Sequence, residues 1–264
     1  MVWGLRESAC ATAKDGRGAG RKAALAGCLL AAAASGCDEP SSPAQETGAD
    51  PSIPRGCPPP PGAPTRPESI EEVVALLGAL PVPTTLPCFL ESLERPLEVI
   101  ATTNAFSAQP SDGPDNPRLL IVSGPLTMAI VPNGIGRHLL EMAVDVGDRE
   151  SIKAELAFPL NEPVSNADPY EHILQPGGGT TCNGCHAAER RADVEEDYGT
   201  EIFVSGALQS PPDEVLSVSF ARQVAAACDG ADESLRCGTL VALFGHGEVS
   251  GGRFPPDNLI CRAP

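Results

Sequence analysis

Short apolar or alternating runs, separated by turn residues, dominate the middle of this chain and restrict its fold more than any other feature. The runs cover residues 97–102, 118–123, 126–131, 139–146 and 151–158. Turn residues such as Pro132-Asn133-Gly134 and Gly147-Asp148 separate them. In residues 152–156, apolar and charged side chains alternate, which is the pattern of a half-buried strand. The spacing predicts an antiparallel meander or sandwich.

Helical periodicity flanks this region on both sides. The first helix has its apolar residues at helical spacing: Ile70, Val73, Val74 and Leu77. Ser69 is placed to cap it, and Pro81 closes the segment. Later residues predict a helix at 187–196, a strand at 202–208 and a final helix at 235–245, whereas 211–228 fits either structure. The predicted fold class is α+β, an antiparallel β-rich domain with a few short helices.

The N-terminal residues are typical of an export signal. Five basic residues precede an apolar stretch at 23–34, which is too short to span a bilayer comfortably. The stretch ends in Ala34-Ser35-Gly36-Cys37, the pattern of a bacterial lipoprotein cleavage site. We therefore expect residues 1–36 to be a lipoprotein signal peptide and Cys37 to be lipidated. An ordinary signal peptide, cut nearby, is the alternative.

The mature chain divides into a tether and one globular domain. Residues 37–67 are rich in Pro, Ser, Ala and Gly, and we expect an extended tether there. Residues 68–264 are long enough for a single domain with a core. The formal net charge of -17 disfavours nucleic-acid partners and is compatible with a basic redox partner protein. The lipid on Cys37 would be the only contact with a bilayer, at the periplasmic membrane or the cell surface.

Two cysteines three positions apart, followed at once by a histidine, form the most specific chemical motif of the chain. The segment is Cys182-Asn183-Gly184-Cys185-His186. On one helical turn the two thiols share a face, and the imidazole next to the second points across it. This arrangement suits bonding to two vinyl groups of one porphyrin edge, with the imidazole as an axial ligand of the iron. Thr180 and Thr181 are placed to cap the turn.

Two other interpretations of these cysteines remain open. They can form a disulfide or redox pair, although the sequence shows no β–α–β context for a thioredoxin-like site. They can instead be half of a zinc site, although no second Cys-x-x-Cys and no close pair of histidines completes it.

The motif resembles the haem-attachment site of the c-type cytochromes, and the resemblance covers residues 182–186 and little more. It implies one covalent haem c, with Cys182 and Cys185 as thioether attachment points and His186 as the proximal iron ligand. The haem-attachment segment is then 177–196. That family usually takes its distal ligand from a Met downstream of the motif. This chain departs from the pattern, because its last Met is Met142.

The distal side of the iron has several candidates. His246, between two glycines after the last predicted helix, is the candidate distal ligand that we single out. His172, ahead of the cysteine motif, is another. Met128, His138 and Met142 lie in strand-like runs, where the two methionines suit a core. An open sixth position, which permits small molecules to bind at the iron, is the remaining alternative.

The remaining cysteines are expected to form disulfides, since the compartment is oxidising. Cys228 and Cys237 flank a loop-like stretch and are the favoured pair. Cys261 can pair with Cys88, which leaves Cys57 unpaired in the tether.

These features predict an exported, membrane-tethered c-type haem protein that transfers electrons through one covalent haem. The alternative is a cell-surface lipoprotein whose β domain binds another protein or a polysaccharide, with Cys182 and Cys185 as a structural disulfide and no haem. A haem enzyme such as a peroxidase is a third interpretation. It needs distal acid–base residues, which the sequence does not identify.

Overall fold

The computed structural model describes residues 10–11, 56–186, 188–194, 198–228 and 234–261. Cys37, the predicted lipidation site, and most of the predicted signal peptide and tether lie outside these residues. Within the described part of the chain, no helix has the length and apolar character required to cross a membrane.

Most strands of the structure belong to one nine-stranded sheet. The strands are β1 (Cys10–Ala11), β2 (Leu97–Thr102), β3 (Arg118–Ser123), β4 (Leu126–Ile130), β5 (Leu139–Gly147), β6 (Glu150–Ala157), β7 (Arg190–Arg191), β8 (Phe203–Gly206), β9 (Leu208–Gln209), β10 (Val215–Leu216), β11 (Val249–Gly251) and β12 (Leu259–Cys261). The large sheet has the order β10-β2-β3-β4-β5-β6-β8-β7, and β11 pairs with β2 in parallel. Strands β1, β12 and β9 form a second, small sheet.

The central strands β2 to β6 are an antiparallel meander, because each pairs with the next along the chain. Five helices accompany the sheets: α1 (Ile70–Gly78), α2 (Leu86–Ser92), α3 (Asp168–Glu171), α4 (Val218–Ala226) and α5 (Leu235–Phe244). The Ser69 side chain accepts a hydrogen bond from the Glu72 amide and caps α1. The predicted α+β class is therefore confirmed.

The meander has two different faces, since successive side chains of a strand point to opposite sides. One face, which we call the helix face, carries residues such as Val99, Leu119 and Met128, each at most 1% exposed, and packs against α1, α2, α4 and α5 in the main core. The opposite face, which we call the cavity face, carries Ile100, Leu120 and Ala129. Loops cover this second face.

Three expectations differ from the structure. Residues 187–196 were expected to be helical, but the described part contains the edge strand β7, because pairing with β8 outweighs the helix propensity of Ala, Glu and Arg. Helix α2 was not predicted, although Thr85 caps it and a proline stands in its first turn. The described fold also begins before residue 68, since the Cys57 amide donates to the Glu91 carboxylate at 2.8 Å.

The disulfides differ in part from the expected pairs. Cys228 and Cys237, the favoured pair, are joined by a disulfide. Cys88 is joined to Cys57 and not to Cys261, so the expected Cys88–Cys261 pair was wrong. The Cys57–Cys88 bond attaches the end of the predicted tether to α2, which a composition-based argument could not foresee.

The guanidinium of Arg95 joins the ends of two helices on the helix face. It donates to the carbonyls of Leu90 and Leu93 at the end of α2. It also donates to Ala242 and Leu243 at the end of α5, at 2.8 and 3.2 Å. The last carbonyls of a helix have no partner within the helix and carry partial negative charge, so one cation satisfies both helix ends.

Replacing Arg95 is expected to destabilise the fold. Arg95→Ala should lower the free energy of unfolding by about 2–4 kcal/mol, because it leaves several carbonyls without their charged donor. Arg137→Ala is the matched control, since Arg137 is exposed and makes one long contact of 3.4 Å with the Gly134 carbonyl. Urea denaturation of both variants measures the difference. Equal unfolding midpoints for the two variants would refute the role of Arg95.

Candidate functional site

The Cys-x-x-Cys-His segment folds as one tight turn. Residues Thr181–Gly184 form a 3₁₀ helix, and the Thr180 hydroxyl accepts a hydrogen bond from the Cys182 amide. The amides of Cys185 and His186 both donate to the Cys182 carbonyl, at 3.0 and 2.8 Å. The turn therefore places the two thiols and the imidazole within one short, internally bonded segment.

The entry to this turn is fixed by Glu189. Its carboxylate accepts from the Thr180 amide at 2.9 Å and from the Thr180 hydroxyl. Gly179 has a φ of +80°, and a Cβ there would meet the Glu189 carboxylate at 2.7 Å. The left-handed backbone therefore favours glycine at position 179, and a side chain there would also displace the Glu189 carboxylate from Thr180.

His186 is held through one of its two ring nitrogens. Its Nδ1 donates to the carbonyl of Gly206 at 2.8 Å, in the last residue of β8. The donation from Nδ1 assigns the lone pair to Nε2, which is the tautomer that binds a metal through Nε2. Burial, and then the nearby Lys153 cation, lower the pKa of His186 to about 3. The imidazole is therefore neutral at physiological pH.

Cys182 and Cys185 are free thiols. The four other cysteines whose side chains the structure describes are all in disulfides. Burial raises the pKa of Cys182 to about 11 and also raises the pKa of Cys185. Redox-active dithiols need a lowered thiol pKa, so these two cysteines lack the electrostatics of a thioredoxin-like pair.

A cavity of about 330 Å³ lies beside the turn, on the cavity face of the sheet. Its floor is formed by β3 to β6, and its cover by residues 104–108, 181–186, 207–210 and 253–258. Cys182, Cys185 and His186 all line it. A volume of this size is within the range of sites that hold organic ligands, roughly 300–1,000 Å³.

The floor of the cavity changes from apolar to charged across the sheet. One row of paired residues runs Ile100, Leu120, Ala129, Glu141, Glu155 from β2 to β6. The first three belong to the apolar cluster of the cavity face. The last two are directly opposite carboxylates, which repel each other unless protons or cations compensate them.

Basic side chains lie next to both carboxylates. Arg118 forms an ion pair with Glu141. The Nδ1 atom of His172 lies 3.0 Å from a carboxylate oxygen of Glu155. Burial, and then Glu141, raise the pKa of Glu155 to about 7. Arg118, Glu141 and Glu155 are ionisable side chains in the cavity that His186 also lines, and sequence reasoning missed them.

Lys153 is a further charged side chain of the cavity. The alternation of residues 152–156 predicts that it faces solvent, as it does for Glu155. Lys153 is 7% exposed, and its ammonium donates to the Ser151 hydroxyl and to the Gly206 carbonyl, the latter at 3.5 Å. Burial lowers the pKa of Lys153 to about 8. The alternation in β6 predicts that Lys153 and Glu155 lie on the same face of the sheet. It does not predict that loops cover that face.

The structure does not bring His246 to this cavity. His246 follows α5, its side chain is 1% exposed, and its Nε2 lies 3.5 Å from a carboxylate oxygen of Glu91 in α2. Since α2 and α5 pack on the helix face, the sheet separates His246 from His186. Met128 and Met142 belong to the main core, at 1% and 2% exposure, and His138 is exposed ahead of β5.

Comparisons with known proteins identify no relative. No protein-family model, no curated protein and no solved structure matches this chain. In the described part of the chain, no group of three or more His, Cys, Asp and Glu side chains is arranged to hold a metal ion by itself. The completed zinc site that the cysteine spacing left open is therefore not found among these residues.

Ionisation of Glu155 is expected to cost stability as the pH rises. The carboxyl has a pKa of 4.5 when unfolded and about 7 when folded, so between these values the folded state binds more protons than the unfolded state. Stability then falls with rising pH across this window and levels off above it. Glu155→Gln should remove this loss, which is of the order of 2 kcal/mol after allowance for partial exposure.

Urea denaturation at pH 5 and pH 8 measures this effect. The stability difference between the two pH values should shrink in Glu155→Gln. It should not change in the control Glu162→Gln, because Glu162 is exposed. A Glu155→Gln variant whose stability changes with pH in parallel with the wild type would contradict the assignment.

Proposed function

We propose that this protein is an exported, membrane-tethered c-type haem protein that transfers electrons through one covalently bound haem. One observation carries the proposal. Two free thiols and a neutral imidazole, held in a single turn, line the same cavity beside a sheet. These are the three protein groups that covalent haem attachment requires.

The donor chemistry of the site fits a haem. Cys182 and Cys185 would hold the porphyrin by adding each S–H across one vinyl double bond, a reaction that conserves all atoms and needs reduced thiols. His186 would bind the iron through Nε2, because the Gly206 carbonyl occupies Nδ1. A carbonyl partner on the second ring nitrogen fixes the orientation of a metal-bound histidine and raises its basicity.

The surroundings of the turn suit a bound porphyrin. Leu120, Val122, Ala129 and Phe254 form an apolar part of the cavity. Such residues exclude water from a porphyrin plane, and the exclusion affects the redox potential. When bound, the haem supplies one-electron chemistry, and the residues of this chain supply attachment, orientation and local polarity.

The alternative, a binding lipoprotein with a structural Cys182–Cys185 disulfide, has weaker support. Both pairs Cys57–Cys88 and Cys228–Cys237 are bonded, whereas Cys182 and Cys185 are not. A structural pair has no need of the neutral imidazole beside it. The geometry of His186 therefore favours the haem protein.

Location and partners belong to the same proposal. Covalent haem is added outside the cytoplasm, which agrees with the expected signal peptide at residues 1–36. Its cleavage would remove β1 and leave β12 paired with β9. A lipid on Cys37 would hold the domain at the periplasmic membrane or the cell surface, with residues 38–55 as the spacer. The net charge of -17 is compatible with a redox partner protein that has a basic docking surface.

Covalent haem can be tested directly on the denatured chain. The protein, expressed with a cytochrome c maturation system, should retain haem peroxidase stain after denaturing electrophoresis. The double variant Cys182→Ala, Cys185→Ala should lose it, because no thioether remains. Absence of stain on the wild-type chain would overturn the proposal.

A matched pair of cysteine variants controls for loss of folding. Cys228→Ala, Cys237→Ala removes a disulfide of this domain at a distance from the motif along the chain. It should keep the haem stain while losing about 2–4 kcal/mol of stability. A haem stain lost equally in both double variants would indicate a folding defect as its cause and would count against attachment at Cys182 and Cys185.

A further inference from the structure

We infer that this chain supplies the haem iron with one axial ligand, His186, and that the sixth position binds a small neutral diatomic molecule such as carbon monoxide when the iron is ferrous. The inference rests on the proposed function and goes beyond electron transfer. It follows from where the structure places Lys153 and the other histidines and methionines that it describes. The chain has four histidines and three methionines.

Two of the remaining histidines lie away from the cavity. His246 is buried on the helix face with its Nε2 3.5 Å from a carboxylate oxygen of Glu91. His138 is exposed and is not among the residues that line the cavity. Bringing either imidazole to the iron would require the sheet or the start of β5 to rearrange.

His172 is the strongest rival. It follows α3, and the residue after it, Ile173, accepts a backbone hydrogen bond from Thr181, next to the cysteine turn. Its Nδ1 lies 3.0 Å from the Glu155 carboxylate, which lines the cavity, but His172 itself does not line it. Its side chain is 37% exposed. This placement makes His172 a surface partner of Glu155.

The two methionines that the structure describes are buried in the main core. Met128 and Met142 are directly paired across β4 and β5, and both point into the main core of the helix face. Met142 is also among the residues that line the cavity, but its neighbours Glu141 and Ala143 carry their side chains on the cavity face. The Met142 side chain is therefore directed to the opposite face of the sheet from His186, into the main core. Met1 stands in the predicted signal peptide, outside the described residues.

Lys153 is the one amine among the residues that line the cavity in the described structure. Its ammonium approaches the Gly206 carbonyl, which is the acceptor of His186 Nδ1. Lys153 is thus placed beside the ring nitrogen that does not bind iron. Its bond to the Ser151 hydroxyl holds it there.

The charge of the cavity selects the class of the ligand. Three carboxylates, those of Glu141, Asp145 and Glu155, line it together with the cations of Arg118, Lys153 and Arg253. Arg118 is already paired with Glu141. The formal charges of these six side chains balance, so an anionic ligand meets no net attraction in the cavity. Binding of a neutral diatomic molecule does not depend on the charge of the cavity. Ferrous haem with one imidazole ligand has the electronic structure to bind such a molecule.

The experiment uses the protein with its haem attached, as shown by stain on the denatured chain. The haem is reduced without oxygen, its visible and magnetic circular dichroism spectra are recorded, and carbon monoxide is titrated. We expect a five-coordinate, high-spin ferrous haem that converts fully to a complex with one carbon monoxide per haem. A six-coordinate, low-spin ferrous spectrum that carbon monoxide does not change would overturn the inference.

Two variants locate the ligand. His172→Gln and Met142→Leu should bind carbon monoxide with an affinity within about twofold of the wild type, the spread expected of substitutions away from the iron. A wild-type low-spin spectrum that becomes high-spin in either variant would identify that residue as the distal ligand and refute the inference. Failure of the proposed function is distinct, because it appears earlier, as a denatured chain without haem.

Discussion

The central strands of the sheet are covered on both faces, and this double burial is the constraint on which the rest of the structure depends. An antiparallel sheet commonly leaves one face to water. Here the helix face packs on four helices, while loops close over the cavity face. Because side chains alternate between faces, one register decides both the apolar core and the residues that meet the cysteine turn. A slip of one residue would exchange Met142 with Glu141.

The candidate site depends on that register and on one hydrogen bond. The bond from His186 Nδ1 to the Gly206 carbonyl attaches the cysteine turn to the end of β8. Strand β8 pairs with β6, which carries Lys153 and Glu155 toward the same cavity. A turn that would otherwise be a surface loop is thus held against a partly charged floor. This environment, more than the motif itself, determines which ligands an iron in this place would meet.

The cysteines of the domain divide by environment. Those at Cys57, Cys88, Cys228 and Cys237 join segments of the helix layer and its approach. Those at Cys182 and Cys185 stay reduced beside a neutral histidine. In the proposed function, thioether formation uses Cys182 and Cys185 as free thiols, whereas a Cys182–Cys185 disulfide would prevent it. The two chemistries can coexist because they lie on different sides of the sheet.

The sequence by itself determined the five central strands, the α+β class, the first and last helices and the cysteine motif, since each depends on local periodicity or spacing. The strand at 97–102 and the Ser69 cap are examples. Only the tertiary structure decided that residues 190–191 form an edge strand, that Cys57 pairs with Cys88 and that His246 faces Glu91. It also converted Glu155 and Lys153 from expected surface charges into cavity groups. Contacts between residues distant along the chain set these outcomes, and local propensity carries no information about them.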